Sequence, residues 1–199
     1  MEKCRKLLVT VALAAAFVSC TKPVAESASS QLSKAQIVYE NILSRRSIRA
    51  YKPEPVSRAQ LDTIIQCAIN APSAGNGQSW QVRVIQNPVL MEKIRAINPN
   101  FSYGAPTLIA IAKDKHSGIS SADCGFLTQN ILLMAEAMDL GTVVLGNMGG
   151  IPTHPDAKDI MTALDLPESH EVIFAVALGY KDEAPEARPR DISKVKFIE

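Results

Sequence analysis

Histidine is scarce and scattered in this 199-residue sequence: His116, His154 and His170 stand apart, and nowhere does the chain show metal-ligand spacing. No Ser-His-Asp, Cys-His or paired-carboxylate arrangement is evident, so the chain offers no self-sufficient nucleophile or acid–base pair. There is no nucleotide-binding glycine fingerprint after a strand, which argues against a resident dinucleotide. Excess charge is missing too. Lys and Arg number 21 against 20 Asp and Glu, so no broad surface for nucleic acid is implied. Internal repeats and long low-complexity runs are absent, and aromatics make up 5% with one Trp. What remains is 47% hydrophobic content, enough for one globular domain with a real core.

The N-terminus reads as a processing segment. Lys3, Arg5 and Lys6 precede an apolar run, Leu7 to Val18, that is too short to span a bilayer comfortably. Small Ser19 then precedes Cys20. This resembles a bacterial lipoprotein signal over residues 1–19, cleaved before a Cys20 that takes the lipid, although Phe17 departs from the usual aliphatic residue. An ordinary secretory signal or an uncleaved anchor is the alternative. Residues 20–32, rich in Ser and Ala, read as a flexible tether, and 33–199 as the folded domain, placed at the cell envelope by its lipid. Of four cysteines, Cys4 leaves with the signal and Cys20 is acylated. Cys67 and Cys124 remain, in apolar helical patterns that suit buried free thiols; two positions alone do not establish a disulfide.

Beyond the tether, helices and strands alternate, and the class is α+β. Ser33 is placed to cap a helix to about Ser44, with Val38/Ile42 and Tyr39/Leu43 on successive turns. Ser57 and Gln60 form a capping-box pattern ahead of Leu61, Ile64, Ile65, Ala68 and Ile69. Trp80–Gln86 reads as a strand, Asn87-Pro88 as a helix start, and 106–112 as a second strand. The longest helix is expected over 121–140 with Gly141 as its stop. Two more β-rich runs follow at 142–146 and 172–179. Apolar residues of the long helix (Phe126, Leu127, Ile131, Leu132, Leu133, Met134, Ala137, Met138, Leu140) surround most of its circumference. Such a helix must be covered on most sides, by a second subunit or as a central core helix.

Three polar groups stand out. "SRRSIRAY" (Ser44–Tyr51) sets Arg45, Arg46 and Arg49 around Ser47 at a helix exit, a set suited to phosphate through charge-assisted bonds or simply to solvation. "APSAGNGQSW" (Ala71–Trp80) is a long polar link between apolar segments; Gly75 and Gly77 permit close backbone approach, and Asn76 and Gln78 offer paired donors and acceptors. "DLGTVVLGNMGG" (Asp139–Gly150) ends a strand in Gly146-Asn147 with backbone amides to offer. Arg188 and Arg190 in "ARPR" are tail solvation or a further phosphate contact.

In this order, Arg45-Arg46-Ser47-Ile48-Arg49, the Pro72–Trp80 loop, Gly104-Ala105-Pro106, Leu140-Gly141 with Leu145-Gly146, Leu178-Gly179-Tyr180 and the paired arginines resemble the nitroreductase family of FMN-dependent flavoproteins, over Ile37 to the C-terminus. The resemblance implies a homodimer with a central mixed or antiparallel sheet flanked by helices and two FMN sites at the interface. It implies that Arg45, Arg46, Ser47 and Arg49 hold the FMN phosphate and ribityl chain, with Arg188 and Arg190 on the phosphate. Pro72, Ser73, Ala74, Asn76 and Gln78 match the loop that reaches the flavin of the neighbouring subunit. Leu145, Gly146 and Asn147 match the segment whose amides face the reactive edge of the ring. Ser79 replaces a usual proline, Asn147 a frequent glycine, and the short "KDKHSGISSA" leaves little lid over the substrate.

The activity so implied is electron transfer from NADH or NADPH to a quinone or nitroaromatic acceptor by a ping-pong mechanism, with the flavin carrying the chemistry. Outside the cytoplasm the donor would instead be a membrane or periplasmic carrier. Two alternatives stay open: flavin processing or storage on the same fold, and a lipid-anchored binding module that has lost flavin.

Overall fold

Two neighbouring glycines, one on each of two paired strands, decide where the arginine segment lies, and the fold is best built towards them. The computed structural model describes residues 32–199. The expected signal, the Cys20 lipid site and nearly all of the tether lie outside the described residues.

Helix α1 (Lys34–Ser44) and helix α2 (Arg58–Ile69) each begin with a full capping box, Ser33 with Gln36 and Ser57 with Gln60. Strand β1 (Trp80–Ile85) follows the polar loop, and Asn87 caps helix α3 (Pro88–Ile97) with Pro88 at its first position. Strand β2 (Thr107–Asp114), helix α4 (Ser120–Ala137), strand β3 (Leu140–Gly146), helix α5 (Lys158–Leu164) and strand β4 (His170–Tyr180) complete the order. The sheet runs β1-β2-β4-β3 with every neighbour antiparallel, which resolves the mixed-or-antiparallel expectation.

Both faces of this sheet are covered. Ala110 and Ala112 of β2 with Ala175 and Ala177 of β4 pack against Met91 and Ile94 of α3 and Ile160 and Leu164 of α5. Ile109 and Ile111 with Val176 and Leu178 pack on the other face against Leu61 and Ile64 of α2 and Leu127 and Ile131 of α4. Successive strand residues point to opposite faces, so a doubly covered strand is apolar throughout, which is why β2 reads as an unbroken apolar run.

One expectation needs correction. Helix α4 ends at Ala137, not Leu140, and Gly141 does not stop it: Asp139 takes the left-handed conformation (φ 58°), and Leu140 and Gly141 already belong to β3. The all-round apolar surface of α4 is met largely within the chain. Cys124, Leu127, Ile131, Leu132 and Ala135 are buried, and Phe126 is half exposed. The uncovered apolar helix is α1, exposed throughout except for half-buried Asn41.

Gly141 and Gly179 face each other in the β3–β4 pairing. A methyl group on Gly141 would sit 2.8 Å from Ile48 Cγ2, and one on Gly179 would sit 2.8 Å from Pro106 Cδ and 3.0 Å from Tyr51 Cδ1. The missing side chains leave a trough in which Ile48 is 2% exposed.

Candidate functional site

Leaving α1, the chain enters this trough and joins the sheet as a short extra rung. The Ile48 N–H donates to the Thr142 carbonyl (2.9 Å), Ser47 bridges Thr142 in parallel, and the Lys52 N–H donates to the Tyr180 carbonyl (3.0 Å). Tyr51, packed over Gly179, donates its hydroxyl to the Ile48 carbonyl (2.6 Å), and burial raises its phenol pKa, so it stays a neutral donor. The Arg49 N–H donates to the Glu183 carboxylate, which ties in the segment after β4. Ile48 is thereby buried and Tyr51 half-buried, while Ser47 keeps part of its surface open and Arg49 is exposed.

The C-terminal segment returns over the same place. Arg45, Arg46, Ser47, Arg49, Pro185, Glu186, Arg188 and Arg190 line a cavity of about 150 Å³. Five guanidinium groups meet one carboxylate there, and none of the five makes an ion pair among the described residues. Arg46 is partly engaged in the fold: its Nη1 donates to the Leu43, Ser44 and Arg45 carbonyls (2.5, 2.9 and 3.1 Å) and closes the end of α1. Arg45 uses Nη1 on the Arg46 carbonyl (2.8 Å), and Arg190 uses Nη1 on that of Arg188 (3.0 Å). Each guanidinium has five N–H donors, so most of their capacity remains. Burial lowers the Arg45 pKa, Glu136 opposes this, and the charges of Arg190 and Arg46 add to the lowering. Like charges held together in a partly buried pocket suit an anion that several guanidinium forks can grip at once. A phosphate fits both the charge and the volume.

Behind the pocket, Glu136 of α4 is largely buried, lies 2.9 Å from Lys181 Nζ, and its charge acts on Arg45. Arg49 also stacks over the Tyr103 ring, 5.9 Å from its centroid. Glu136, Lys181, Tyr103, Pro185 and Glu186 were not singled out in the sequence: Glu136 and Tyr103 lie far from the arginines, while Lys181, Pro185 and Glu186 stand ahead of Arg188 and Arg190. Gly141 and Gly179 lay within the quoted motifs, but their contact with Ile48 and Tyr51 is tertiary.

The other two predicted groups lie outside this cavity. Leu145 is buried, so its side chain serves the core and only its backbone is available to a ligand. Gly146 is exposed at the strand end, and Asn147 opens a 3-10 turn through Thr153. From Thr142, beside Ser47, to Gly146 is four residues of strand, roughly 13 Å at ~3.3 Å each. A ligand gripped at the arginines and reaching Gly146 must therefore be elongated with an anionic end.

Pro72, Ala74, Asn76 and Gln78 are exposed and Ser73 half-buried. The Gln78 N–H donates to Ser73 Oγ (3.1 Å), and Gly75, Asn76 and Gln78 all have positive φ (57°, 56° and 48°). A left-handed glutamine is costly and persists where the surroundings demand it, as at binding sites. The two larger cavities, about 530 and 460 Å³, are grooves beside the outer edge of β1, around Val84 and Gln86. They hold none of the five cavity arginines and none of the other site residues expected from the sequence, and are not the site. Cys67 and Cys124 are free thiols. Burial pushes the Cys124 thiol up to about 11, which leaves it protonated and inert. His116 and His154 are exposed and half-buried His170 pairs with Ser169 (2.9 Å), all outside the arginine cavity.

The model of the nitroreductase family matches residues 42–100 and 95–180. A protein of Methanothermobacter thermautotrophicus, provisionally named an NADH dehydrogenase/NAD(P)H nitroreductase, is 35% identical over 161 residues, covering 76% of this chain and 81% of that protein. The NADPH-flavin oxidoreductase of Vibrio harveyi is 30% identical over 169 residues, covering 76% of this chain and 68% of that protein. Among solved structures, an FMN-bound nitroreductase from Bacteroides fragilis superposes with a TM-score of 0.74 at 25% identity, covering 81% of this chain and 98% of that one.

Proposed function

This chain belongs to the nitroreductase family, and on that premise we propose that it passes electrons from NADH or NADPH to a small quinone or nitroaromatic acceptor, the two using one site in turn. It is an FMN-dependent NAD(P)H oxidoreductase. The observation that carries this reading onto its own residues is the five-arginine cavity, cationic, partly desolvated, and with none of its guanidinium groups in an ion pair among the described residues. Bound FMN supplies reversible two-electron chemistry to which the protein adds no nucleophile.

The protein's part is to hold and shape. Arg45, Arg49, Arg188 and Arg190 grip the phosphate, with Ser47 adding a hydroxyl donor, while Arg46 keeps α1 closed behind them. The Gly146 and Asn147 amides are assigned to the far end of the ligand, where backbone donors favour negative charge developing on the ring. The Pro72–Gln78 loop lies outside its own chain's arginine cavity and is assigned to the neighbouring subunit's site.

That last assignment requires a homodimer. Ile37, Val38, Tyr39, Ile42 and Leu43 of α1 are 48–64% exposed, and Ile192, Val195, Phe197 and Ile198 of the tail are 56–90% exposed. This exposed apolar surface supports assigning α1 and the tail to the subunit interface. Sedimentation is expected to show a dimer, and Val38→Asp is expected to lower dimer content and FMN occupancy together. A flavin-loaded monomer of the unmodified protein would refute the shared site.

Steady-state kinetics test the alternating use of one site. Double-reciprocal plots against donor at several acceptor concentrations should give parallel lines. Convergent lines would mean that donor and acceptor bind together. Absence of turnover with every donor would favour flavin processing or storage instead.

A further inference from the structure

Helix α4 opens directly beneath the polar loop and is attached to it at both ends. Ser120 Oγ donates to the Ser79 carbonyl and accepts the Asp114 N–H (3.0 Å), and that same N–H also reaches the Ser79 carbonyl (3.2 Å). One turn on, Asp123 Oδ1 accepts the Ala74 N–H at 3.3 Å. Asp123 is 1% exposed, and its Oδ2 is buried without a hydrogen-bond donor among the described residues.

As a fold element this makes little sense. Burying a carboxylate is costly, and a single long bond from a neutral amide offsets little of that cost. The position on the first turn of α4 helps through the helix dipole, but only modestly. A residue that the fold would be better without is best explained by what it holds, and what it holds is the amide that opens the 3-10 turn Ala74–Asn76. Gly75, Asn76 and Gln78 follow in left-handed conformations that need an anchor to persist.

We propose that Asp123 is a positioning residue for the cofactor: by accepting the Ala74 N–H it holds the Pro72–Gln78 loop in the left-handed shape that lies against FMN. This rests on the assignment of that loop to the flavin. Asp123 acts through the loop and touches neither cofactor nor substrate.

The test uses the full chain with Asp123→Ala, Asp123→Asn and, as a control, Arg45→Ala. Three quantities are read: FMN affinity by titration, the melting temperature without ligand, and hydrogen exchange of the Ala74 amide without ligand. Asp123→Ala should bind FMN about tenfold more weakly, the loss of the one acceptor that anchors the loop. Its Ala74 amide should exchange faster while the melting temperature is unchanged or higher. Asp123→Asn keeps an acceptor oxygen and should stay close to the unmodified protein in all three. Arg45→Ala should weaken FMN without altering exchange at Ala74. An Asp123→Ala protein with unchanged affinity and unchanged exchange overturns the proposal. So does one that fails to fold or melts lower in step with its lost affinity, since that makes Asp123 a structural residue; an asparagine variant as weak as alanine removes the acceptor role. If Arg45→Ala leaves FMN binding intact, the arginine cavity has been misassigned, and exchange at Ala74 still judges the anchor.

Discussion

Gly141→Ala is expected to destabilise the protein by about 1–3 kcal/mol and to weaken FMN binding with it. Propensity alone points the other way, because glycine inside a strand costs roughly 0.5–1 kcal/mol relative to alanine. Packing decides the sign. The new methyl would lie 2.8, 2.9 and 3.0 Å from three carbons of Ile48, well inside ordinary contact. Ile48 is fully enclosed and its N–H is bonded to Thr142, so it has little room to retreat. Overpacking of this kind typically costs about 1–3 kcal/mol. Any retreat also moves Ser47 and Arg49, the residues on either side, away from the cavity. Gly179→Ala should behave alike, because the Pro106 ring at 2.8 Å is stiff and Tyr51 at 3.0 Å is tied to Ile48. Gly125→Ala is the informative control: in the middle of α4 with nothing within 4 Å of its Cβ, it should stabilise by up to about 1 kcal/mol. Melting temperatures resolve these differences at roughly 2–4 °C per kcal/mol in a domain of this size. Gly141→Ala melting at or above the unmodified protein would mean that the trough does not hold the segment as described.

Arg45→Ala and Arg49→Ala are each expected to weaken FMN about ten- to hundredfold, the loss of a charge-assisted contact worth roughly 1.5–3 kcal/mol. The fold should survive, since Arg49 is exposed and Arg45 only half-buried at a helix exit. Neighbouring charges in one cavity couple, so the double variant need not show the product of the two effects. Arg46→Ala is expected to differ in kind. Its guanidinium caps three carbonyls at the end of α1, so stability should fall more than affinity. FMN affinity that survives loss of both Arg45 and Arg49 would refute the assignment of the phosphate.

Local chemistry was legible in the sequence and long-range contact was not. The capping boxes at Ser33 and Ser57 and the Asn87-Pro88 start carry their own partners within four residues, and each helix begins where those residues place it. Gly141 was misread because a glycine after a long helical run looks like a stop, whereas its reason is Ile48, far away in the chain. The arginines were visible as a cluster, but their meeting with Arg188 and Arg190 depends on the segment after β4 folding back over the trough. Arg46 illustrates the limit: its type suits a ligand, and only the structure shows that its Nη1 also closes the end of α1. Asp123 has no sequence signal at all, since one acid in the first turn of a helix is ordinary.

The central claim is that the cavity between Arg45 and Arg190 holds the phosphate of FMN, and comparison of FMN with riboflavin tests it most directly. The two ligands share ring and ribityl chain and differ only in that phosphate. With more than one charge-assisted contact at roughly 1.5–3 kcal/mol each, titration is expected to show riboflavin binding at least about a hundredfold more weakly than FMN. The preference should shrink in the Arg45→Ala and Arg49→Ala double variant. Equal affinity for FMN and riboflavin in the unmodified protein would contradict the account.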